Sequence, residues 1–150
     1  MIRCELCGAN LSEGKECRDL YDELAFYTLK HPDQRYFIHQ LIVDAYGAQH
    51  ITKDSKPVAI FAALVGLYLF AEKGFTGKEV QDMHVKLGNK MKEYKLSTIA
   101  SEKASINIAD VLAIKEGIER DEMIKAWARA VWQMWKSERG NVIAFYNTII

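Results

Sequence analysis

The sequence predicts an all-α bundle of five to six helices with a short N-terminal zinc-knuckle-like segment. Two observations carry that expectation. Apolar residues recur at intervals of three and four along most of the chain, the period of a helix with one face in a core. Only two Pro and nine Gly punctuate 150 residues, which leaves few turns for a many-stranded sheet. Hydrophobic residues at 49% and charged residues at 27% are enough to build a core. The length fits a single helical domain over residues 1–150, with a metal-binding knuckle (1–15) packed on a helical body (16–150).

The first fifteen residues carry turn and ligand types rather than a periodic apolar pattern: Cys4, Cys7, Gly8, Asn10, Ser12 and Gly14. Helical spacing begins at Cys17 with Leu20, Leu24 and Tyr27, and Pro32 ends that helix because the residue before proline leaves the α region. Asp33 is placed to cap a second helix through Phe37, Leu41, Val43 and Tyr46. Residues 51–55 read as a loop, with Pro57 opening a third helix and Gly74 closing it. That helix is apolar nearly all round, so it should be central to the bundle. Thr76 and Glu79 form a capping box for a fourth helix from Gly77 to about Glu93. Residues 94–107 are the least periodic and read as an extended, partly ordered loop. A short helix follows over 110–115, then the longest over 119–139, broken at Gly140, and a last apolar helix over 141–150. The apolar side chains of that last helix, Val142 to Ile150, either extend the core or pair two chains, and a homodimer is expected.

Lys+Arg 20 against Asp+Glu 20 gives zero formal net charge, so neither nucleic acid nor a membrane surface is an expected partner. The longest apolar run, residues 58–71, falls short of the ~18–20 residues that span a bilayer. The N-terminal residues show no basic stretch followed by an apolar run, hence no secretory signal is expected. An odd count of three cysteines argues for reduced thiols and a cytoplasmic location rather than a disulfide framework.

Cys4-Glu-Leu-Cys7-Gly8 is a Cys-x2-Cys-Gly knuckle, whose turn can bring two thiolates onto one ion. A thioredoxin-type redox pair needs a strand leading into a helix, and the sequence shows no strand before Cys4. A structural zinc site takes four ligands. Cys17 is the only other cysteine, at the start of helix one. If helices one and two form an antiparallel hairpin, Cys17 lies beside residues 48–50, which makes His50 the natural fourth ligand. His39 sits eleven residues earlier, ~16 Å along the same helix, so the two histidines cannot share an ion. The expected metal ligands are therefore Cys4, Cys7, Cys17 and His50, with zinc as a structural cofactor.

His39 and Asp44 are a second polar candidate. His39, beside Phe37 and Leu41, reads as a core histidine bonded to a neighbour, and Asp44 as a group satisfying the backbone or a helix end. His84, near Asp82, reads as solvated. Trp127, Trp132 and Trp135 read as core packing of the longest helix, and the Gly74–Glu79 segment lacks the spacing of a phosphate loop.

Three segments carry a resemblance: the knuckle; Cys17-Arg-Asp-Leu-Tyr-Asp-Glu-Leu24; and the run from His39 to His50 that contains Val43-Asp44-Ala45-Tyr46 and Gln49. With Val131-Trp132-x2-Trp135, they resemble a prokaryotic domain-of-unknown-function family whose members carry a CPxCG knuckle, a CRxLYDEL-like helix and an HxLxVDAYxxQH helix. Glu5 stands here for the family's usual proline, and Phe61 where members often carry a histidine. The resemblance implies that the cysteines and His50 act as a unit. It implies no reaction.

Three functions compete. The first is a zinc-stabilised binding or regulatory module whose four protein ligands leave no position for water. The second is a metal-dependent enzyme of the helical-bundle type using His39, Asp44 and His84. The third is a cysteine-based redox or metal sensor. No pattern names a substrate, and the partner, protein or small molecule, stays open.

Overall fold

The computed structural model describes residues 2–30, 33 and 36–149. Pro32, expected to stop the first helix, and Ile150 lie outside the described residues. The chain is an all-α bundle with one two-stranded antiparallel sheet at its N-terminus. The order is β1 (Ile2–Arg3), β2 (Asn10–Leu11), α1 (Cys17–Lys30), α2 (His39–Gln49), α3 (Pro57–Lys73), α4 (Gly77–Met91), α5 (Ile108–Leu112), α6 (Ile118–Met134) and α7 (Arg139–Ile149). A short 3₁₀ turn, Lys136–Glu138, joins α6 to α7. Seven helices form among the described residues, matching the seven helical segments read along the sequence; the count of five to six is short because it leaves the one-turn α5 out.

The local signals act as their chemistry dictates in the middle of the chain. Pro57 is the first residue of α3, and Gly74 closes it in the left-handed conformation at φ 72°. The Thr76–Glu79 capping box opens α4. A second box, Asn107 with Asp110, opens α5 two residues before the expected start. α3 is central, with ten of its residues buried and α2, α4, α6 and α7 packed on it. Trp127, Trp132 and Trp135 are core residues, as expected. Val142 and Phe145 of α7 are buried, with Ile143, Tyr146 and Ile149 packed alongside, so this helix extends the core. Phe61 is fully buried, in contact with the rings of Tyr94 and Phe145. No helix among the described residues is long and apolar enough to cross a membrane.

Several expectations fail locally. Asp33 does not cap α2, which starts at His39 without a side-chain cap. Phe37 intervenes with φ 54°, a left-handed conformation that no helix can run through. The Tyr36 carbonyl accepts from Lys78 N, and an added Cβ on Gly77 would stand 1.9 Å from the Phe37 carbonyl oxygen, so this segment is pressed onto the start of α4. Gly140 breaks nothing, since it lies inside α7. The break is at Trp135, whose indole N–H donates to the Ala48 carbonyl. α6 is accordingly 17 residues long, the same as α3 rather than the longest. A short strand, β1, does precede Cys4, but the knuckle runs on into β2 and not into a helix, so the redox-pair geometry is still missing.

The aperiodic 92–107 segment is tied down by Glu138. This fully buried carboxylate accepts from the backbone N–H and hydroxyl of both Ser97 and Thr98, and from Asn141. Burial pushes its carboxyl up, but these donors outweigh burial and hold it below the usual range. Glu138→Gln replaces an acceptor with a donor here and is expected to cost about 2 kcal/mol. Because the folded value lies below the unfolded one, wild-type stability from this group is present above the unfolded value of about 4.3. It is lost as pH falls through the folded value. Urea melts from pH 7 to pH 3 should therefore show the difference between the two proteins shrinking with acid.

Candidate metal centre

Cys4, Cys7, Cys17 and His50 come together from three separate segments. Between β1 and β2 the chain folds back: Cys4 N–H donates to the Ala9 carbonyl at 2.9 Å, and Gly8 N–H to the Cys4 carbonyl at 2.8 Å. Gly8 sits at φ 83°, where a side chain would be strained. This turn puts Cys4 and Cys7 on the same side. Cys17 is the first residue of α1, and the Asp19 carboxylate closes that end by accepting Glu16 N–H at 2.7 Å. α1 and α2 are antiparallel neighbours. Cys17 at one end meets His50 at 3.2 Å, and Thr28 at the other meets His39 at 2.9 Å. The hairpin reflection that selects His50 is thus realised, and His39 is bound at the far end.

The four ligand atoms all lie within 4.8 Å of one another. Cys7 Sγ and Cys17 Sγ are 3.6 Å apart. A tetrahedral ion with bonds of about 2.3 Å to sulfur and about 2.0–2.1 Å to nitrogen spaces its ligands about 3.3–3.8 Å, so only a small closure is needed. His50 is also prepared for ligation. Its Nδ1–H donates to the Tyr46 carbonyl at 2.8 Å, which leaves Nε2 as a lone pair facing Cys17. Tyr46 stacks on the imidazole at 3.9 Å, and Tyr21 packs behind Tyr46. The thiols are electrostatically coupled. The hydrogen bond from Cys17 draws the Cys7 thiol down to about 4 against the opposing effect of burial, while the same bond pushes Cys17 up. Ligation needs the thiols deprotonated, so metal binding here would release protons. Cys7 and Cys17 are buried and Cys4 and His50 half-buried.

Support for the cluster comes from Gln49, which the sequence named only within a motif, and from Lys103, which it did not single out. The end of α2 is fixed by Gln49, which donates to the Ile106 carbonyl and accepts from the Trp127 indole at 2.8 Å. Lys103 lies over the knuckle and donates to the carbonyls of Glu5 and Leu6. Lys103 sits in the aperiodic loop, where no pattern could have marked it.

The second polar candidate divides. His39 is a half-buried histidine bonded to Thr28, as expected, and burial lowers its pKa. Asp44 meets neither the backbone nor a helix end. Its carboxylate is buried and accepts from His84 Nε2 at 3.2 Å and Gln40 Nε2 at 3.3 Å. Burial raises its pKa, and the two hydrogen bonds oppose that. His84 is therefore bonded to Asp44 rather than freely solvated, and its side chain is 19% exposed. The sequence held a signal for it, since His84 falls on the 77, 80, 84, 87, 91 stripe whose other members are all buried. Asp82, by contrast, is exposed and paired with Lys78. Among the described residues, His39, Asp44 and His84 form no group that could hold a metal ion.

Fold and site together define a small helical bundle with a Cys3His cluster able to hold a metal ion. A family of unknown function, DUF5946, matches residues 2–136, and the chain belongs to it. No curated protein and no solved structure matches the chain.

Proposed function

We propose that the cluster binds one structural Zn²⁺ and that the protein is a zinc-stabilised binding or regulatory module. The observation that carries this is the placement of His50: Nδ1 lies 2.8 Å from the Tyr46 carbonyl, which turns Nε2 toward Cys17 beside the other two thiols. Soft thiolates with imidazole favour zinc over magnesium or calcium. Four protein ligands fill the tetrahedron and leave no position for water, which argues against chemistry at this ion. Free thiols in this number suit a reducing cytoplasm. The knuckle and the two helices that supply Cys17 and His50 are, on this proposal, the common core of a prokaryotic family, supported by the motif resemblance described above.

Metal analysis of protein purified without chelators tests the proposal. About one zinc per chain is expected, retained in His39→Ala and lost in His50→Ala. Zinc retained in His50→Ala, or none in the wild type, would overturn it.

A further inference from the structure

A groove of 510 Å³ lies between α2, α3 and α4, away from the cysteine cluster. Its walls are apolar, among them Val43, Val58, Ala62 and Met91, and its polar groups are Gln40, Asp44 and His84. The volume and the few polar groups match small-molecule sites in general. The polar end is built from three helices at once. Gly66 of α3 makes room for the Asp44–His84 pair: a Cβ there would stand 2.0 Å from Asp44 Oδ2 and 2.8 Å from His84 Nε2.

The hydrogen bonding of that end selects a ligand chemistry. Gln40 Nε2 and His84 Nε2 both donate to Asp44, so each residue spends a donor internally. What remains is acceptor capacity at His84 Nδ1 and Gln40 Oε1, beside the second N–H of the Gln40 amide. His84 Nδ1 has no hydrogen bond among the described residues, yet no buried side-chain nitrogen or oxygen lacks a partner. Nδ1 is therefore open to solvent. Gln40 Oε1 likewise has no hydrogen bond among the described residues. Among the described residues no Lys or Arg lines the groove, so nothing there would hold an anion.

We propose that this groove is a binding site for a small uncharged or cationic molecule with an apolar body and one hydroxyl or amino group, which donates to His84 Nδ1. Asp44 is a positioning residue: by accepting from Nε2–H it holds the proton on that nitrogen and keeps Nδ1 an acceptor. The site is independent of the metal centre and would stand if the zinc proposal failed.

Histidine side-chain ¹⁵N NMR of the protein as purified tests this, first without ligand. Nε2 of His84 should be the protonated nitrogen, and Asp44→Asn should shift that preference toward Nδ1. Four probes that share one ring then follow: benzyl alcohol, benzylamine, toluene and benzoate. The alcohol or the amine should move the Nδ1 resonance saturably with a Kd of about 1 mM. Toluene should bind at least about tenfold more weakly, the loss expected for one hydrogen bond, and benzoate should not bind. Gly88→Leu should abolish the shift, because a Cβ at Gly88 meets nothing within 4 Å and the larger side chain enters the groove. Ala59→Leu, at an exposed groove position on α3, provides a second block should Gly88→Leu not fold. A wild-type Nδ1 that is protonated, no saturable shift with either donor probe, toluene or benzoate binding as well as the alcohol, or binding that survives both blocks would overturn the proposal.

Discussion

Replacing Cys7 by serine is expected to lower stability by about 4 kcal/mol when free zinc stands about a thousandfold above its Kd. The reason is linkage. The four ligands come from the knuckle, the start of α1 and the residue after α2, so they exist as a site only in the folded chain. Serine keeps the volume of Cys7, which is buried against the core, but it loses the thiolate and any zinc bond made through it. The β1–β2 pair has only two residues in each strand, and of its own apolar side chains Ala9 and Leu11 are buried while Ile2 and Leu6 are exposed. That is too little burial to order residues 2–14 by itself. The loss should therefore concentrate at the N-terminus. Hydrogen exchange should rise sharply over residues 2–14, while α3 and α4, which supply no ligand, stay protected. Urea melts with and without added zinc give the magnitude: the wild type should respond to zinc and Cys7→Ser should not.

Gly66→Ala is expected to cost about 4 kcal/mol, against the ordinary rule that alanine in a helix is better than glycine. The new methyl would overlap Asp44 Oδ2 and force it away from His84. That separates a pair whose carboxyl is buried and has only Gln40 as its other partner; taking a donor from a buried acceptor costs about 1–3 kcal/mol, and the steric overlap adds about 1–3 kcal/mol. Gly88→Ala is the contrast. Its Cβ meets nothing within 4 Å, so the same exchange one helix away should stabilise by about 1 kcal/mol. Opposite signs at two helical glycines, read from denaturation midpoints, would show that the Asp44–His84 contact and not helix propensity governs position 66.

What could be read from the sequence was local, or followed from a single reflection. The Thr76 capping box, the Pro57 start and the Gly74 stop each depend on a few neighbouring residues, and each forms. His50 was accessible because the helix that Cys17 opens and the helix that His50 follows are consecutive in the chain. The failures lie where a distant partner decides. His84 looks like any polar helix residue until Asp44, forty positions earlier, is placed beside it. Glu138 orders Ser97 and Thr98 from about the same separation, so the loop gave no periodic sign of being held. Asp33 has the chemistry of a cap, but Phe37 takes a left-handed conformation that its side chain disfavours, with its N–H on the Asp33 carbonyl and its own carbonyl against Gly77 of α4. Gly140 has the chemistry of a stop, yet the hydrogen bond from Trp135 to Ala48 sets the break five residues earlier.

The most direct test of a closed structural zinc site is the zinc K-edge absorption spectrum of the protein as purified. Three sulfurs at about 2.3 Å and one nitrogen at about 2.0 Å, with no oxygen in the shell, are expected. A shell containing a water oxygen, fewer than three sulfurs, or no bound zinc would contradict it.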